Sequence, residues 1–377
     1  MNIGLRREDA GVDQILAAAS GYLTIDLGAL RRNYARAVSQ VAPARAAAVV
    51  KANAYGLGAP QVTRALLAQG CRDFFVAEFV EALELKPTLP SDTNLYVLNG
   101  LQPGNEMLSA QAGIVPVANS LEQLKRWHET AIALGRTLQV ILQFDTGMSR
   151  LGIPPCDRPE ARELVNASRA LGVLYVMSHL ASADDAKSWQ NPPQLKEMQR
   201  ISEEFAGIPS CFANSGGIFL GSGYHADLVR PGIALYGGAP TAGRENPMEP
   251  VVKLDVAVVQ TRTVPAGAAI GYSGSFVATA EIPLATLAIG YADGLPRSLS
   301  NRGRFYYNGA CLPIVGRVSM DSTIVDVSAL TPNTLQLGSL VEVIGPHQTI
   351  DDIARDADTI SYEILTRLGM RYRRQYC

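Results

Sequence analysis

Eight short apolar runs, separated by amphipathic helical stretches, constrain the first two thirds of this 377-residue chain more than any other feature. The runs fall at residues 46–50, 74–77, 95–98, 114–118, 138–144, 173–177, 210–213 and 227–229. Alternation of strands with helices favours a parallel sheet covered by its crossover helices. Eight such units predict a closed (β/α)8 barrel of the TIM type. An open doubly wound sheet has the same periodicity and stays an alternative.

The pattern changes after a polar, proline-containing junction, TAGRENPMEP, at residues 241–250. The later apolar runs are separated by Gly, Pro and Asn without helical spacing, and they fall at residues 256–264, 284–289, 313–318, 323–327 and 340–344. This texture is typical of antiparallel β-structure, and one late helix is predicted at residues 350–368. We therefore expect a barrel domain over residues 1–243 and a β-rich domain over residues 244–377. The early run at 22–27 can pair with either.

Composition and charge exclude several classes of protein. Hydrophobic residues make up 47% of the chain and charged residues 18%, which fits a folded globular protein rather than a disordered one. A net charge of −2 with mixed signs offers no electrostatic surface for nucleic acid or anionic lipid. No apolar run reaches membrane-spanning length, and the amino terminus has charges where a signal peptide needs its apolar core. We expect a cytoplasmic protein with no nucleic-acid or membrane partner.

The cysteines and histidines give no metal-binding pattern. Five cysteines are dispersed along the chain, which indicates reduced thiols in a reducing compartment. The four histidines also lack the spacing of metal ligands. The sequence therefore predicts no metal site.

Polar side chains follow the predicted strands at the end where a (β/α)8 barrel places its chemistry. They are Lys51 after the first strand, Asp145 and Arg150 after the fifth, His179 after the sixth, Asn214 and Ser215 after the seventh, and Arg230 after the eighth. Taken singly, His179 reads as a core histidine, Arg230 as an ion-pair partner and Lys51 as a surface lysine. Their joint placement on one rim favours a functional site.

A lysine at the end of an apolar strand points to a particular chemistry. Burial lowers the pKa of its ammonium group, and the free amine can form a Schiff base with a carbonyl compound. A phosphorylated carbonyl cofactor, pyridoxal phosphate, also needs an anion site. The turns Asn-Ser-Gly-Gly at 214–217 and Arg-Pro-Gly-Ile at 230–233 follow strands seven and eight, where barrel phosphate sites typically lie.

Taken together, these motifs resemble those of the alanine racemases, which are pyridoxal-phosphate enzymes of fold type III. The lysine signature is AVVKANAYGLG at 48–58. The other matches follow in order as DTGMSRLG (145–152), SHLASAD (178–184), ANSGG (213–217), LVRPGIALYG (228–237), GYSGSF (271–276), IGYADGLPR (289–297), GRVSMDSTIVDV (316–327) and SYEILTRLG (361–369). The resemblance covers nearly the whole chain.

The resemblance implies an isomerase that racemises L- and D-alanine through a pyridoxal-phosphate aldimine with two bases. Lys51 would carry the cofactor and act as the base on the D face, and Tyr272 would be the opposing base. In this family the tyrosine comes from a second subunit, so the resemblance implies a homodimer with shared active sites. Met320 and Asp321 would reach the site from the same partner, and Tyr291 would gate the entrance. The product would supply peptidoglycan synthesis, or the reaction would serve alanine catabolism.

The resemblance also implies how the cofactor is held. Arg150 would contact its phenolate oxygen and the substrate carboxylate, and His179 would lie beside the pyridine ring and bond Arg230, the partner of the ring nitrogen. The phosphate ligands would be Tyr55, Ser215, Gly232, Ile233 and Tyr362, with Asn214 nearby.

Two positions depart from the family pattern. Gln143 stands where many members have a carbamylated lysine that positions Arg150, so we predict that a neutral side chain or a bound anion takes that role. Ser319 stands where cysteine is frequent. Neither change touches a predicted base.

Three alternatives stay open or are disfavoured. A serine or broad-specificity racemase of the same fold is the nearest, because discrimination of one methyl or hydroxyl group is modest. An amino-acid decarboxylase would need an acidic partner at the ring nitrogen, whereas Arg230 does not give up its proton. A single-domain cofactor carrier would lack the predicted β-rich domain.

Overall fold

The computed structural model describes residues 19–377, which divide into two compact units. One unit is Gly28–Glu249, and the other joins the described residues up to Leu27 with Pro250–Cys377. The first contains a parallel sheet alternating with helices and the second contains a mainly antiparallel sheet. The predicted fold class, a (β/α)8 barrel followed by a β-rich domain, is confirmed.

The barrel closes because its first strand is shared between two neighbours. Its strands are Arg45–Ala46, Ala48–Val49, Asp73–Val76, Asn94–Val97, Val115–Ala118, Leu138–Gln143, Leu171–Met177, Ser210–Asn214 and Leu228–Arg230. The first two are halves of one strand interrupted at Ala47. One half pairs with the last strand and the other with the second, all parallel. The Ala47 N–H also donates to the Val229 carbonyl at 2.9 Å, so eight strands complete the ring.

Helices alternate with the barrel strands and bury their apolar faces. They are Leu27–Val41, Ala59–Ala68, Phe79–Leu85, Glu106–Ala112, Leu121–Leu134, Arg158–Ala167, Asn191–Glu204 and Ser215–Leu220. Side-chain caps satisfy exposed N–H groups at two of their starts. The Ser120 hydroxyl accepts from the Gln123 N–H at 3.1 Å, and the Asn214 Oδ1 accepts from the Gly217 N–H at 3.0 Å.

The second unit is organised around one long strand, Val252–Val264. Its strands are Gly21–Ile25, Val252–Val264, Ala269–Ile270, Phe276–Val277, Ile282–Leu287, Arg304–Tyr307, Ala310–Pro313, Thr323–Asp326, Leu340–Ile344 and Arg373–Tyr376. The long strand pairs antiparallel with three of them: Gly21–Ile25, Ile282–Leu287 and Leu340–Ile344. The early strand Gly21–Ile25 also pairs with Arg373–Tyr376, so the run whose partner was left open joins this sheet.

The predicted strand at 313–318 is wrong beyond its first residues. The extended strand ends at Pro313, and only an isolated bridge follows at Ile314. Gly316 then has a φ of 81°, which turns the chain. The N–H groups of Gly316 and Val318 donate to side-chain oxygens of residues 301 and 300, at 2.6 and 3.0 Å, instead of to a neighbouring strand.

The predicted late helix at 350–368 is two helices. Ile350–Asp356 and Ser361–Thr366 are separated at Asp358, whose φ of 58° cannot continue a right-handed helix. Within residues 19–377, no helix is long and apolar enough to cross a membrane.

Candidate active site

Lys51 follows the first barrel strand and begins a left-handed turn. Residues 52–55, Ala-Asn-Ala-Tyr, have φ values between 52° and 56° although none of them is glycine. Left-handed backbone costs a residue with a Cβ about 1–2 kcal/mol. Four consecutive residues in this conformation therefore require anchors from the surrounding structure.

Two side chains anchor this turn. The Glu81 carboxylate accepts from the Ala52 N–H, and also from the N–H groups of Ala77 and Glu78 at 2.8 and 3.0 Å. The Asn53 Oδ1 accepts from the N–H of residue 59 at 2.8 Å. Glu81 thereby ties the turn after the first strand to the turn after the second, and it fixes where Lys51 leaves the barrel.

The Lys51 side chain is half-buried and its pKa is lowered. Burial is the largest cause, the positive charges of Arg150 and Arg230 add to it, and the Glu81 carboxylate opposes it. A lowered pKa increases the fraction of free amine, which is the nucleophilic form. The position is therefore suited to a covalent bond with a carbonyl carbon.

Arg230 ends the eighth strand and is 3% exposed. Its Nη2 donates to the carbonyls of Ser178 and Phe212 at 2.8 and 3.2 Å and to His179 Nδ1 at 3.3 Å. Its Nη1 donates to the Cys211 Sγ at 2.9 Å. The guanidinium is thus held by groups from strands six and seven.

His179 is neutral in this arrangement. Burial lowers its pKa to about 3, and the positive charges of Arg230, Arg150 and Lys51 act in the same direction. Because a guanidinium only donates, Nδ1 must be the acceptor, which places the imidazole proton on Nε2.

Ser215, Gly232 and Tyr55 form a compact polar cradle at the ends of strands seven, eight and one. The Ser215 Oγ accepts from the N–H groups of Gly232 and Ala234 at 2.8 and 3.3 Å. A Cβ on Gly232 would lie 2.3 Å from the Tyr55 hydroxyl oxygen, so a side chain there would displace the Tyr55 hydroxyl. The Tyr55 ring packs against Tyr236 with a centroid distance of 4.6 Å. Hydroxyl and amide donors meet here, and that is the donor set a phosphate group requires.

Two further predicted phosphate ligands flank this cradle. Ile233 begins the short helix Ile233–Tyr236 directly after Gly232, and Asn214 caps the helix that begins at Ser215. The backbone at 232–233 therefore enters the cradle at a helix start, where N–H groups lack partners within the helix.

Arg150 lies exposed on the loop after the fifth strand. Asp145 shapes that loop, because its Oδ1 accepts from the N–H groups of residues 147, 148 and 149 at 2.9, 3.0 and 3.1 Å. Gln143 is 6% exposed and lines one small pocket with Arg150 and His179. What positions Arg150 in place of a carbamylated lysine stays a prediction.

The other predicted residues lie in the β unit. Tyr272 is 69% exposed and begins the turn Tyr272–Gly274, between two short paired strands. Tyr291 and Met320 lie on adjacent segments, since the N–H groups of residues 291 and 292 donate to the carbonyls of Ser319 and Met320 at 3.0 and 2.9 Å. Tyr362 is half-exposed on the helix Ser361–Thr366.

Arg371 connects the segments that carry Tyr291 and Met320. Its Nε and Nη2 donate to the two carboxylate oxygens of Asp293 at 2.6 and 2.7 Å, and its Nη1 donates to Asp321 at 2.7 Å. The hydrogen bonds that Arg371 donates to the two carboxylates raise the pKa of its guanidinium above the ordinary value. Asp321 is therefore held in an ion pair within its own unit.

Sequence reasoning missed three residues of these networks: Glu81, Cys211 and Arg371. Glu81 is visible as the third helical residue of a capping box, but its bond to Ala52 depends on the tertiary fold. Arg371 lies in a run of arginines near the carboxyl terminus, which signals charge without a partner. Within residues 19–377, no group of three or more His, Cys, Asp or Glu side chains could hold a metal ion.

Comparison with known proteins gives matches along nearly the whole chain. The family model "Alanine racemase, N-terminal domain" matches residues 25–240, and "Alanine racemase, C-terminal domain" matches residues 251–376. Proteins named "Alanine racemase, catabolic" from Rhizobium johnstonii and Agrobacterium fabrum are 63% and 57% identical, covering 96% of this chain and 96% and 94% of their own. The crystal structure of alanine racemase from Bartonella henselae with covalently bound pyridoxal phosphate is 44% identical, with a TM-score of 0.92, covering 95% of this chain and 100% of that chain.

Proposed function

The chain belongs to the alanine racemase family, and on that premise we propose that it interconverts L-alanine and D-alanine with pyridoxal phosphate. One observation carries the proposal: Lys51, with its lowered pKa, shares a barrel rim with a buried Arg230 and a neutral His179. When bound, the cofactor supplies electron withdrawal that acidifies the α-hydrogen of an attached amino acid. The residues of the chain do the rest.

The proposed site would hold the cofactor at four points, which are its carbonyl carbon, its ring nitrogen, its phenolate oxygen and its phosphate. Lys51 would bond the carbonyl carbon, and Arg230 would donate to the ring nitrogen beside His179. Arg150 would contact the phenolate oxygen and the substrate carboxylate. The phosphate would be held by Tyr55, Ser215, Gly232, Ile233 and Tyr362, with Asn214 nearby. The donor set around Ser215 and the absence of space for a Cβ at Gly232 support this placement.

Two bases on opposite faces then invert the α-carbon. The Lys51 Nζ removes or returns the proton on the D face, and the Tyr272 hydroxyl does so on the L face. Lys51 belongs to the barrel unit and Tyr272 to the β unit. We infer that Tyr272, Met320 and Asp321 come from the partner in a homodimer, with Met320 near the substrate carboxylate and Tyr291 at the entrance.

The test of the cofactor assignment is Lys51→Ala. The wild-type protein should be yellow when purified with pyridoxal phosphate, and the variant should lose both the absorbance of the lysine-bound cofactor and racemisation. Arg262→Ala, on the surface of the β unit, is a control that should keep both. A colourless wild type that racemises alanine would contradict the assignment.

The test of the two bases is Tyr272→Phe. Removing the hydroxyl should suppress exchange of the α-proton of L-alanine with deuterium solvent by about 100-fold or more, and exchange from D-alanine far less. Mass spectrometry of each recovered enantiomer measures both rates. Equal losses from the two enantiomers would mean that one base serves both faces.

The physiological role and substrate range complete the proposal. Two relatives are named catabolic, which supports a role in alanine catabolism over supply of D-alanine to peptidoglycan. Deleting the gene should then impair growth on alanine as carbon source without causing a D-alanine requirement. A substrate panel resolved by chiral chromatography tests alanine against serine, and comparable rates would favour the broad-specificity alternative.

A further inference from the structure

Arg230 is a buried cation whose hydrogen-bond partners are all neutral. Its acceptors are two backbone carbonyls, the His179 imidazole and the Cys211 thiol. Within residues 19–377 no carboxylate forms an ion pair with it. The full positive charge of Arg230 is therefore available to whatever the guanidinium faces.

The contacts divide unequally between the two terminal nitrogens. Nη2 has three acceptors, whereas the hydrogen bond of Nη1 goes to the Cys211 Sγ at 2.9 Å. A planar guanidinium held at both terminal nitrogens cannot rotate about its long axis, and its Nε–H then points in one fixed direction. The contacts of Nη2 alone would leave the guanidinium free to rotate, and the hydrogen bond from Nη1 to the Cys211 thiol removes that rotation.

Cys211 is well placed to do this because the fold fixes it in turn. It lies on the seventh barrel strand at 0% exposure, and Leu228 of the eighth strand is its register partner, two residues before Arg230. Burial raises the pKa of the thiol, and the Arg230 charge opposes that rise only in part. The group that meets Nη1 is thus a neutral sulfur and not a counter-ion.

We propose that Cys211 is a positioning residue for Arg230: its thiol accepts from Nη1 and aims the guanidinium at the ring nitrogen of bound pyridoxal phosphate without neutralising it. This inference rests on the proposed function, because it concerns the cofactor assigned there. A carboxylate at this position would hold the guanidinium equally well, but it would cancel the charge that disfavours protonation of the ring nitrogen.

The test compares two ligands on the apoprotein: pyridoxal phosphate, and its deaza analogue, which has a carbon in place of the ring nitrogen. Cys211→Ala removes the acceptor and should weaken binding of pyridoxal phosphate about tenfold, while binding of the deaza analogue changes little. Cys211→Ser restores a neutral acceptor and should bring the affinity to within about threefold of wild type. Absorbance titration of each apoprotein gives the dissociation constants without measuring activity.

Cys71→Ala is the matched control. Cys71 is also a fully buried thiol of the barrel unit, but its Sγ donates a hydrogen bond to the backbone carbonyl of residue 73 at 3.4 Å and accepts none from Arg230. The variant should leave the ratio of the two affinities unchanged. If Cys211→Ala does not fold, Cys211→Val can replace it, because valine removes the acceptor while keeping a side-chain volume similar to that of cysteine. The affinities for the two ligands are then compared in the same way.

The outcomes separate the two levels of inference. Equal losses for both ligands in the acceptor-free variant would show a general packing role and overturn the positioning role. Unchanged binding of both would overturn it as well. A wild-type protein that binds neither ligand would instead overturn the proposed function, and the role of Cys211 with it.

Discussion

At the scale of single residues, the protonation state of His179 follows from its surroundings. Its pKa in the folded protein is about 3, against 6.5 for an ordinary histidine. Below pH 6.5 the unfolded chain therefore binds a proton that the folded protein does not. The free energy of unfolding should fall as the pH decreases from 6.5 toward 3, and above pH 6.5 this group should add no pH dependence.

His179→Gln tests this linkage by removing the titrating group. Between pH 6 and 4 the wild-type apoprotein should lose about 1 kcal/mol more stability per pH unit than the variant. That slope is below the one-proton limit of about 1.4 kcal/mol per pH unit, because the unfolded chain is only partly protonated near pH 6 and the folded protein begins to bind the proton near pH 4. Urea denaturation at several pH values measures both slopes. Parallel slopes would mean that His179 is protonated in the folded protein.

At the scale of elements, the left-handed turn at 52–55 stores backbone strain. Ala52 is exposed and has a φ of 52°, so Ala52→Gly should remove about 1 kcal/mol of strain. Ala35 is an exposed alanine within the right-handed helix Leu27–Val41, and Ala35→Gly should cost about 1 kcal/mol.

The difference in stability between these two variants isolates the backbone strain better than either variant does alone. Both replace alanine by glycine, so the added freedom of the unfolded chain cancels in the difference. Ala52→Gly should therefore be more stable than Ala35→Gly by about 1–2 kcal/mol in chemical denaturation. Equal stabilities would mean that the turn at 52–55 is not left-handed in solution.

The two ion pairs of Arg371 should contribute very different amounts to the free energy of unfolding. Asp293 is 4% exposed, so Arg371→Gln leaves a buried carboxylate without its cation and should cost about 3 kcal/mol. Asp321 has a side chain 61% exposed, and Asp321→Asn should cost less than about 1 kcal/mol.

Thermal and chemical denaturation of both variants measures the contrast. Arg371→Gln should also raise KM more than it lowers kcat, because the ion pairs that connect the segments carrying Tyr291 and Met320 are lost. Equal destabilisation by the two changes would show that burial of Asp293 does not set the cost.

Elements defined by apolar periodicity could be predicted from the sequence, because each barrel run fills a buried strand. The position of the candidate site could also be predicted, because polar residues such as Lys51 and Arg230 come directly where the predicted barrel strands end. Breaks in the predicted elements were missed where the backbone takes a positive φ, as it does at Asp358 and Gly316. Two hydrogen bonds could not be predicted: the one from Ala52 to Glu81 and the one from Arg230 to Cys211. Each joins residues that are brought together only by folding, so no local sequence pattern indicates it.

At the scale of the whole molecule, the two proposed bases belong to different units of the chain. Lys51 is in Gly28–Glu249, and Tyr272 is in the unit that contains Pro250–Cys377. A homodimer that exchanges these units between active sites would contain two equivalent sites, each with one base from either subunit. This arrangement predicts complementation between two inactive chains.

Mixing Lys51→Ala with Tyr272→Phe tests it directly. In a hybrid dimer one site would receive Lys51 from one chain and Tyr272 from the other, while the second site would lack both. Random reassociation makes about half of the dimers hybrid, so about a quarter of wild-type activity should return. Native mass spectrometry establishes the hybrid fraction, and each variant mixed with itself is the control. Hybrids that form but stay inactive would place both bases of each site on one chain.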